Sequence, residues 1–386
     1  MYLLDNTYNI IATVTLSGIF NELTPGVTFP SNIDLHEINI TPQGTVLVTA
    51  NNVTTTDLTS VGGPKVGWIV DSLFYEIDIA TNKVLFRWSS LDHVDAIPLS
   101  SSVYHLGSEG FTGVNQSLAW GYAHINSVAK LGDGYVVSFR YLCAGIALSK
   151  KGDVLWTLQG ISGGDFKLGT DTNFCFQHDI RPITLTSETL TLSMHDNANA
   201  PINVNTSTTP TSGLELSIDF TTKTVSKIFR YFNPAEPIFA TSQGNFQHIL
   251  SSSNIFMGHG IIPVFQEFTQ AGAIAMTAQF AALQPTGAGL SYRAFNQPWV
   301  GCPSTPPAIY ADVENGTTTV YASWNGATEY RTWTVLAGNT ISSLSVAAKV
   351  ARAGFETKIA LKGSPSVVQV EAVNCGKWSK SVVFTL

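Results

Sequence analysis

His36-Glu37-Ile38-Asn39-Ile40-Thr41-Pro42-Gln43-Gly44-Thr45-Val46-Leu47-Val48 reads as a short strand, a tight polar turn and an apolar strand. The unit recurs as His124-Ile125-Asn126-Ser127-Val128 running to Gly134-Tyr135-Val136-Val137, and as Gln177-His178-Asp179-Ile180 running to Leu190-Thr191-Leu192. A further copy is Gln247-His248-Ile249-Leu250 running to Asn254-Ile255-Phe256. A histidine opens every copy, and each copy is followed by a second strand pair: 72–79 with 83–88, 145–148 with 153–156, 214–219 with 225–229, and 264–268 with 273–276. Units of this size cannot bury their own faces and must stack. Four short, turn-punctuated strands per unit is the pattern of a propeller blade. The expectation is an all-β chain with a β-propeller of five or six blades, of the six-bladed type. Equivalent positions would then converge on one channel, and the repeated histidines would form a site.

Composition agrees with an all-β chain. Of 386 residues, 44% are hydrophobic and only 12% charged, with 32 glycines to serve turns. The net charge of -7, with no Lys/Arg cluster, argues against a nucleic-acid partner, and no basic helix suggests an anionic membrane surface. No apolar run is long enough to span a bilayer as a helix. Residues 2–16 match only the back half of a blade, so the chain is expected to start inside one. A proline-rich stretch at 298–307 marks a boundary. Beyond it Thr318-Val320-Ala322-Trp324, Thr357-Ile359-Leu361 and Val367-Gln369-Glu371-Val373 alternate with a period of two. The expected domains are a propeller over 1–303 and a small immunoglobulin- or fibronectin-like β-sandwich over 304–386. The N-terminus lacks a basic n-region, which predicts an intracellular location. Glycosylation sequons at Asn39, Asn52, Asn115, Asn205 and Asn315 hint at secretory ancestry. Cys143, Cys175, Cys302 and Cys375 have no metal-type spacing and read mostly as free thiols, with a Cys143–Cys175 bridge as the alternative.

Several segments carry a resemblance. They are Asp34-Leu35-His36-Glu37, Thr41-Pro42-Gln43-Gly44-Thr45, Gly62-Gly63-Pro64-Lys65-Val66-Gly67-Trp68, His124-Ile125-Asn126-Ser127-Val128, Gln177-His178-Asp179, Asp196-Asn197, Ser291-Tyr292-Arg293-Ala294-Phe295 and Pro298-Trp299-Val300-Gly301. In that order they resemble the fungal arylsulfotransferase-like family over nearly the whole chain. The resemblance implies a six-bladed propeller related to enzymes that move a sulfuryl group between phenols. There a channel histidine is the carrier, and other histidines, an arginine and an asparagine hold the oxyanion. It also implies relatives in natural-product biosynthesis that act as pericyclases. These hetero-Diels–Alderases couple a tropolone- or phenol-derived quinone methide with a terpene, as in tropolone sesquiterpenoids. The chain departs from the family pattern in its start, in Arg140-Tyr141-Leu142, and in Asn245-Phe246-Gln247-His248.

The catalytic candidates are His124, His178 and Arg140. The imidazoles would act as nucleophile, general acid or donor, and the guanidinium would hold a sulfate or polarise a carbonyl. The bland alternatives are imidazoles that pin blade turns and an Arg140 paired with Asp179 or Asp196. Substrate-binding candidates are His36, Asn126, Tyr141, Asn197, His248, His259 and Arg293, with Trp68, Tyr122 and Phe176 in an apolar wall. Glu37 is expected on the opposite strand face from His36, bracing a neighbour. His93, His105 and His195 lie by loops and are expected to be solvated. Neither a metal nor a cofactor is expected. The leading functional expectation is a cofactor-free cyclase acting on a small aromatic or terpenoid substrate. Its alternatives are a sulfotransferase independent of phosphoadenosine phosphosulfate, and a binding module without catalysis. The sequence leaves the oligomeric state open.

Overall fold

The computed structural model describes residues 1–198, 209–283 and 289–386; the sequon at Asn205 lies outside them. The chain divides into two compact units, one of Met1 with 14–296 and one of 2–13 with 297–386.

The first unit is a β-propeller. Its first blade is Ile38–Ile40, Thr45–Thr56, Gly67–Asp78 and Val84–Ser89. The second is Ile125–Leu131, Gly134–Phe139, Ala144–Leu148 and Val154–Gln159. The third is His178–Leu185, Thr189–Asp196, Ser212–Asp219 and Thr224–Tyr231. The fourth is Asn245–His248, Ile255–Gly258, Val264–Phe268 and Ile274–Gln279. Strands adjacent in sequence are adjacent in each sheet and antiparallel. Five or six blades were expected; the described residues hold these four complete blades and a two-stranded sheet, Phe20–Asn21 with Thr28–Phe29. At the first hairpin Gly44 sits at φ 78°, where a side chain would be strained.

Middle strands are largely buried on both faces because a blade is covered on both sides. Gly134–Phe139 is buried throughout, whereas the outer strand Val84–Ser89 starts exposed. Phe74, Trp88, Tyr135 and Phe139 fill one core cluster, with the Phe74 and Tyr135 rings 5.2 Å apart and Trp88 Nε1 donating to Gly152 O at 3.1 Å. Val136, Leu158, Leu192 and Leu214 fill a second, and Tyr231, Phe246, Met257 and Phe268 a third.

A repeated stitch joins successive blades. A side-chain oxygen on each inner strand accepts a backbone N–H from the next element. Glu37 takes Val128 N at 2.9 Å, Ser127 takes Ile180 N at 3.0 Å, Asp179 takes Phe246 N at 3.1 Å, and Asn245 takes Ala294 N at 2.8 Å. Two of these acceptors are buried carboxylates, and two arginines meet them. Arg293 reaches Glu37 at 2.7 Å, and Arg181 reaches Glu37 at 2.8 Å and Asp179 at 2.7 Å. Arg293 also donates to Asn126 O at 2.7 Å, and Arg181 to Val128 O at 3.2 Å. Glu37 thus braces its neighbours, as expected, although it and His36 lie just before the strand Ile38–Ile40 rather than in it.

The second unit is a β-sandwich. One sheet is Ala308–Glu314, Thr317–Ser323 and Glu356–Lys362; the other includes Thr332–Gly338, Ser345–Ala351 and Val367–Asn374. The period-two residues Thr318, Val320, Ala322 and Trp324 are among its buried positions. The hairpin Tyr2–Leu4 with Ile10–Thr13 groups with this unit rather than with a blade, and the boundary falls at 296/297 rather than 303. Local hydrogen bonds explain that grouping. Tyr8 donates to Gly326 O at 2.8 Å and accepts Trp299 Nε1 at 3.1 Å, and Cys302 N donates to Asn6 O at 2.7 Å. Contrary to the free-thiol reading, all four cysteines are bonded, Cys143 to Cys175 and Cys302 to Cys375. Cys143 and Cys175 meet because Cys143 closes the second blade's hairpin and Cys175 leads into the third blade's inner strand. No helix among the described residues is long and apolar enough to cross a membrane.

The stitches make a graded prediction for urea unfolding. Ser127→Ala leaves one buried amide unpaired and should cost about 1–3 kcal/mol. Glu37→Gln strips a buried charge from two arginines and should cost about 3–5 kcal/mol. Equal losses would contradict the special weight given to the ionic pair.

Candidate active site

The stitches define which positions of the repeat are equivalent. The acceptors are Glu37, Ser127, Asp179 and Asn245, so the residues just before them are His36, Asn126, His178 and Gly244. The four opening histidines are therefore not in register. His124 stands two residues before Asn126 with φ 57°, a left-handed backbone that costs roughly 1–2 kcal/mol for a side-chain-bearing residue. Arg140 N and Tyr141 N hold that corner, donating to His124 O at 2.9 Å and Ala123 O at 3.2 Å. His248 falls at the far end of its strand, pairs with Glu215 at 2.6 Å, and stays outside the cluster.

Three pairs of chain neighbours divide in the same way. In His36-Glu37, His178-Asp179 and Tyr292-Arg293 the second residue joins the ionic network and the first joins a ring cluster. His36 stands edge-on to His124 at 4.7 Å and to Tyr292 at 5.2 Å, and Tyr292 faces His178 at 6.2 Å. His124 tilts against Tyr141 at 4.7 Å, and Tyr141 stacks on Tyr104 at 4.3 Å. The Arg140 guanidinium lies over Tyr141 at 5.0 Å and Phe176 at 5.5 Å. A cavity of about 310 Å³ opens here, lined by His124, Tyr141, Tyr104 and Asp34 with Val53, Val70 and Phe111. That volume reaches the lower end of ligand sites, about 300 Å³. A larger cavity of about 410 Å³ touches Asp171, Asp196 and Arg230, but those charges pair with one another at 3.2 and 2.8 Å.

The histidines differ in how they are tied. His178 Nδ1 donates to Asn197 Oδ1 at 2.6 Å, a direction fixed because Asn197 Nδ2 donates to Ala240 O and Gln243 O. Its Nε2 then accepts Gln243 N at 3.2 Å, so both nitrogens are engaged. His36 Nδ1 binds the Asp34 carboxylate. Neither ring nitrogen of His124 has a hydrogen bond to a described residue. Burial holds His124 well below the usual imidazole range, helped by the neighbouring His36, Arg140 and His178. Burial and Arg140 do the same to His178. Arg140 donates to Thr241 O at 3.1 Å, its Nε is buried without a partner, and no described carboxylate pairs with it. The expected alternatives are taken: Asp179 by Arg181 and Arg293, and Asp196 by Arg230 at 2.8 Å.

The profile of the arylsulfotransferase (ASST) family matches residues 1–281. The chain belongs to that family. No curated protein matches it. Among solved structures it is similar to Saccharomyces cerevisiae Sqt1, at 10% identity and a TM-score of 0.31, covering 93% of this chain and 73% of that one. It is also similar to a DUF4221-family member from Bacteroides vulgatus, at 10% identity and a TM-score of 0.29, covering 97% and 98%. A third is the GH43 protein BlXynB from Bacillus licheniformis, at 8% identity and a TM-score of 0.30, covering 90% and 76%. Scores this low carry no argument.

In this arylsulfotransferase-family propeller several candidates lie elsewhere. Tyr122 is in the core and donates to Ser90 O at 2.9 Å, and Phe176 lies under Arg140. Trp68 does not line the cavity; its backbone bonds Gly113 O at 2.7 Å. Asn126 bridges to Gln177 O at 2.6 Å, and Arg293 belongs to the ionic network. His259 pairs with His195 at 3.5 Å and Gln266 at 3.0 Å. His195 was expected to be solvated and is instead fully buried, because the backbone of Gly244 lies against its ring; a Cβ there would come within 2.4 Å. Of its two companions, His105 is exposed, whereas His93 is half-buried and stacked on Trp88 at 4.7 Å. Sequence reasoning passed over Tyr292, Asp34, Tyr104 and Arg181. Asp34 and Tyr292 sit inside the quoted motifs, beside the candidates His36 and Arg293.

Burial pulls His195 down to about 4 and His259 to about 3. Histidines in the unfolded chain titrate at about 6.5. Below that value the unfolded chain binds more protons, so stability is full above about pH 6.5 and falls toward about pH 5, a window above the carboxylates. Urea midpoints measured across it should drop, with a shallower slope in His259→Gln; a flat profile would contradict neutral buried imidazoles.

Proposed function

We propose that the chain moves a sulfuryl group from an aryl sulfate to a phenol through His124. One observation carries this reading: a buried guanidinium, Arg140, has no described carboxylate partner, and its charge acts on an imidazole with uncommitted nitrogens. An unpaired buried cation is costly, and an anionic ligand removes that cost. The low-pKa imidazole is unprotonated at neutral pH and therefore nucleophilic. A His124 nitrogen attacks sulfur, the bond from sulfur to the donor oxygen breaks, and the donor leaves as an aryl oxide. The acceptor oxygen then attacks sulfur and the imidazole is released. His178, fixed by Asn197 and Gln243, supports the geometry rather than carrying the group. Family membership agrees, and a histidine carrier makes a nucleotide sulfate donor unnecessary.

The cyclase reading draws support from the apolar wall of Val53, Val70 and Phe111. Neutral reactants would leave the Arg140 charge unanswered, so it stands second. Two disulfides favour an oxidising compartment over the intracellular location expected from the N-terminus.

Incubation with a chromogenic aryl sulfate and a phenol tests the proposal. Turnover should appear, fall more than about a thousandfold in His124→Ala, and fall about 10²–10³-fold in Arg140→Met. Absence of exchange, with faster coupling of a quinone methide to a terpene, would establish the cyclase instead. Ligand binding without either reaction would leave a binding module.

A further inference from the structure

Sulfuryl exchange between two phenols needs a proton to cross from acceptor to donor, and neither His124, as sulfuryl carrier, nor the cationic Arg140 carries it. We infer that Asp34 and His36 form a dyad that holds this proton, with His36 as the acid–base group and Asp34 as its positioning residue. The inference rests on the sulfuryl-transfer reading.

Four observations converge. Asp34 lines the cavity that His124 lines. Its carboxylate binds His36 Nδ1, which orients the ring and leaves Nε2 without a described partner. The His36 ring stands 4.7 Å from the His124 ring, centroid to centroid, so the two act on one reacting centre. The His36 side chain is 18% exposed, unlike the enclosed His178, and so can meet a substrate oxygen. Asp34 is itself held in place, accepting the Thr49 hydroxyl at 3.3 Å and His36 N at 3.4 Å. Burial pushes its carboxyl up, but the hydrogen bond and charge of His36 outweigh this and keep it below the ordinary value. The other ring against His36 is Tyr292, 5.2 Å away, whose burial keeps its phenol protonated.

The protons balance. In the donor step the N–S bond forms on His124, the bond from sulfur to the donor oxygen breaks, and the departing oxide takes the proton of the His36 imidazolium. In the acceptor step the phenol gives its proton to His36 Nε2, its oxygen bonds sulfur, and the N–S electron pair returns to His124. The enzyme ends as it began, with the proton back on the dyad. An oxyanion site without this dyad would need phenols that are already ionised.

Stopped-flow measurements separate the two steps. A donor with a good leaving group, mixed alone with the protein, should give a stoichiometric burst of aryl oxide in the parent, in Asp34→Asn and in His36→Ala. Transfer to added phenols should then slow by about 10²–10⁴-fold in His36→Ala for weakly acidic acceptors. The loss should be smaller for acidic, pre-ionised ones, and added imidazole should restore part of it. Asp34→Asn should show the same acidity dependence in milder form. A normal burst with slowing that ignores acceptor acidity would overturn the dyad alone. A parent protein with no burst would overturn sulfuryl transfer, and the dyad with it.

Discussion

The buried contact of Glu37 and Asp179 with Arg181 and Arg293 is the constraint on which the propeller depends. Two acids and two bases make it neutral. Burial works against the Arg293 charge, but Glu37 and Asp179 outweigh it and hold the guanidinium above its ordinary value. Each carboxylate also accepts a backbone amide from the next blade, Val128 N and Phe246 N, so charge pairing and blade register are one arrangement. Buried ion pairs contribute little net stability compared with apolar packing, but breaking one is costly. Here that cost falls on a shifted register.

The same arrangement places the chemistry. Each network residue has a chain neighbour that joins the ring cluster instead. Glu37 sets His36, Asp179 sets His178, and Arg293 sets Tyr292. His124 reaches the cluster by another route, a left-handed corner closed by Arg140 N and Tyr141 N, which also brings Arg140 and Tyr141 to it. A rigid inner face can hold a neutral imidazole next to an uncompensated guanidinium, a combination that would relax if the strands could slip.

Much of the fold was legible in the chain. Turn residues at 41–44 and period-two alternation at 318–324 mark hairpins whatever surrounds them, because they express local backbone preference and one-sided burial. The propeller followed because the hairpins repeat. Blade count did not follow, since closure is a long-range property. The N-terminal hairpin was misplaced because Tyr8 with Gly326 and Trp299 is a contact across some three hundred residues, invisible to periodicity.

The site was legible in part. His36, His124, His178, Tyr141 and Arg140 do come together, while Trp68, Tyr122 and His248 do not. The repeat was aligned on its histidines, whereas the physical register is set by Glu37, Ser127, Asp179 and Asn245. Unlike side chains do one job there, and a search for identical residues passes over them. The most direct test of this account is a double-mutant cycle between Glu37→Gln and Arg293→Gln in urea unfolding. A coupling of at least about 1 kcal/mol is the expected result. Additive effects of the two substitutions would show that the network does not act as a unit, and would contradict the account at its base.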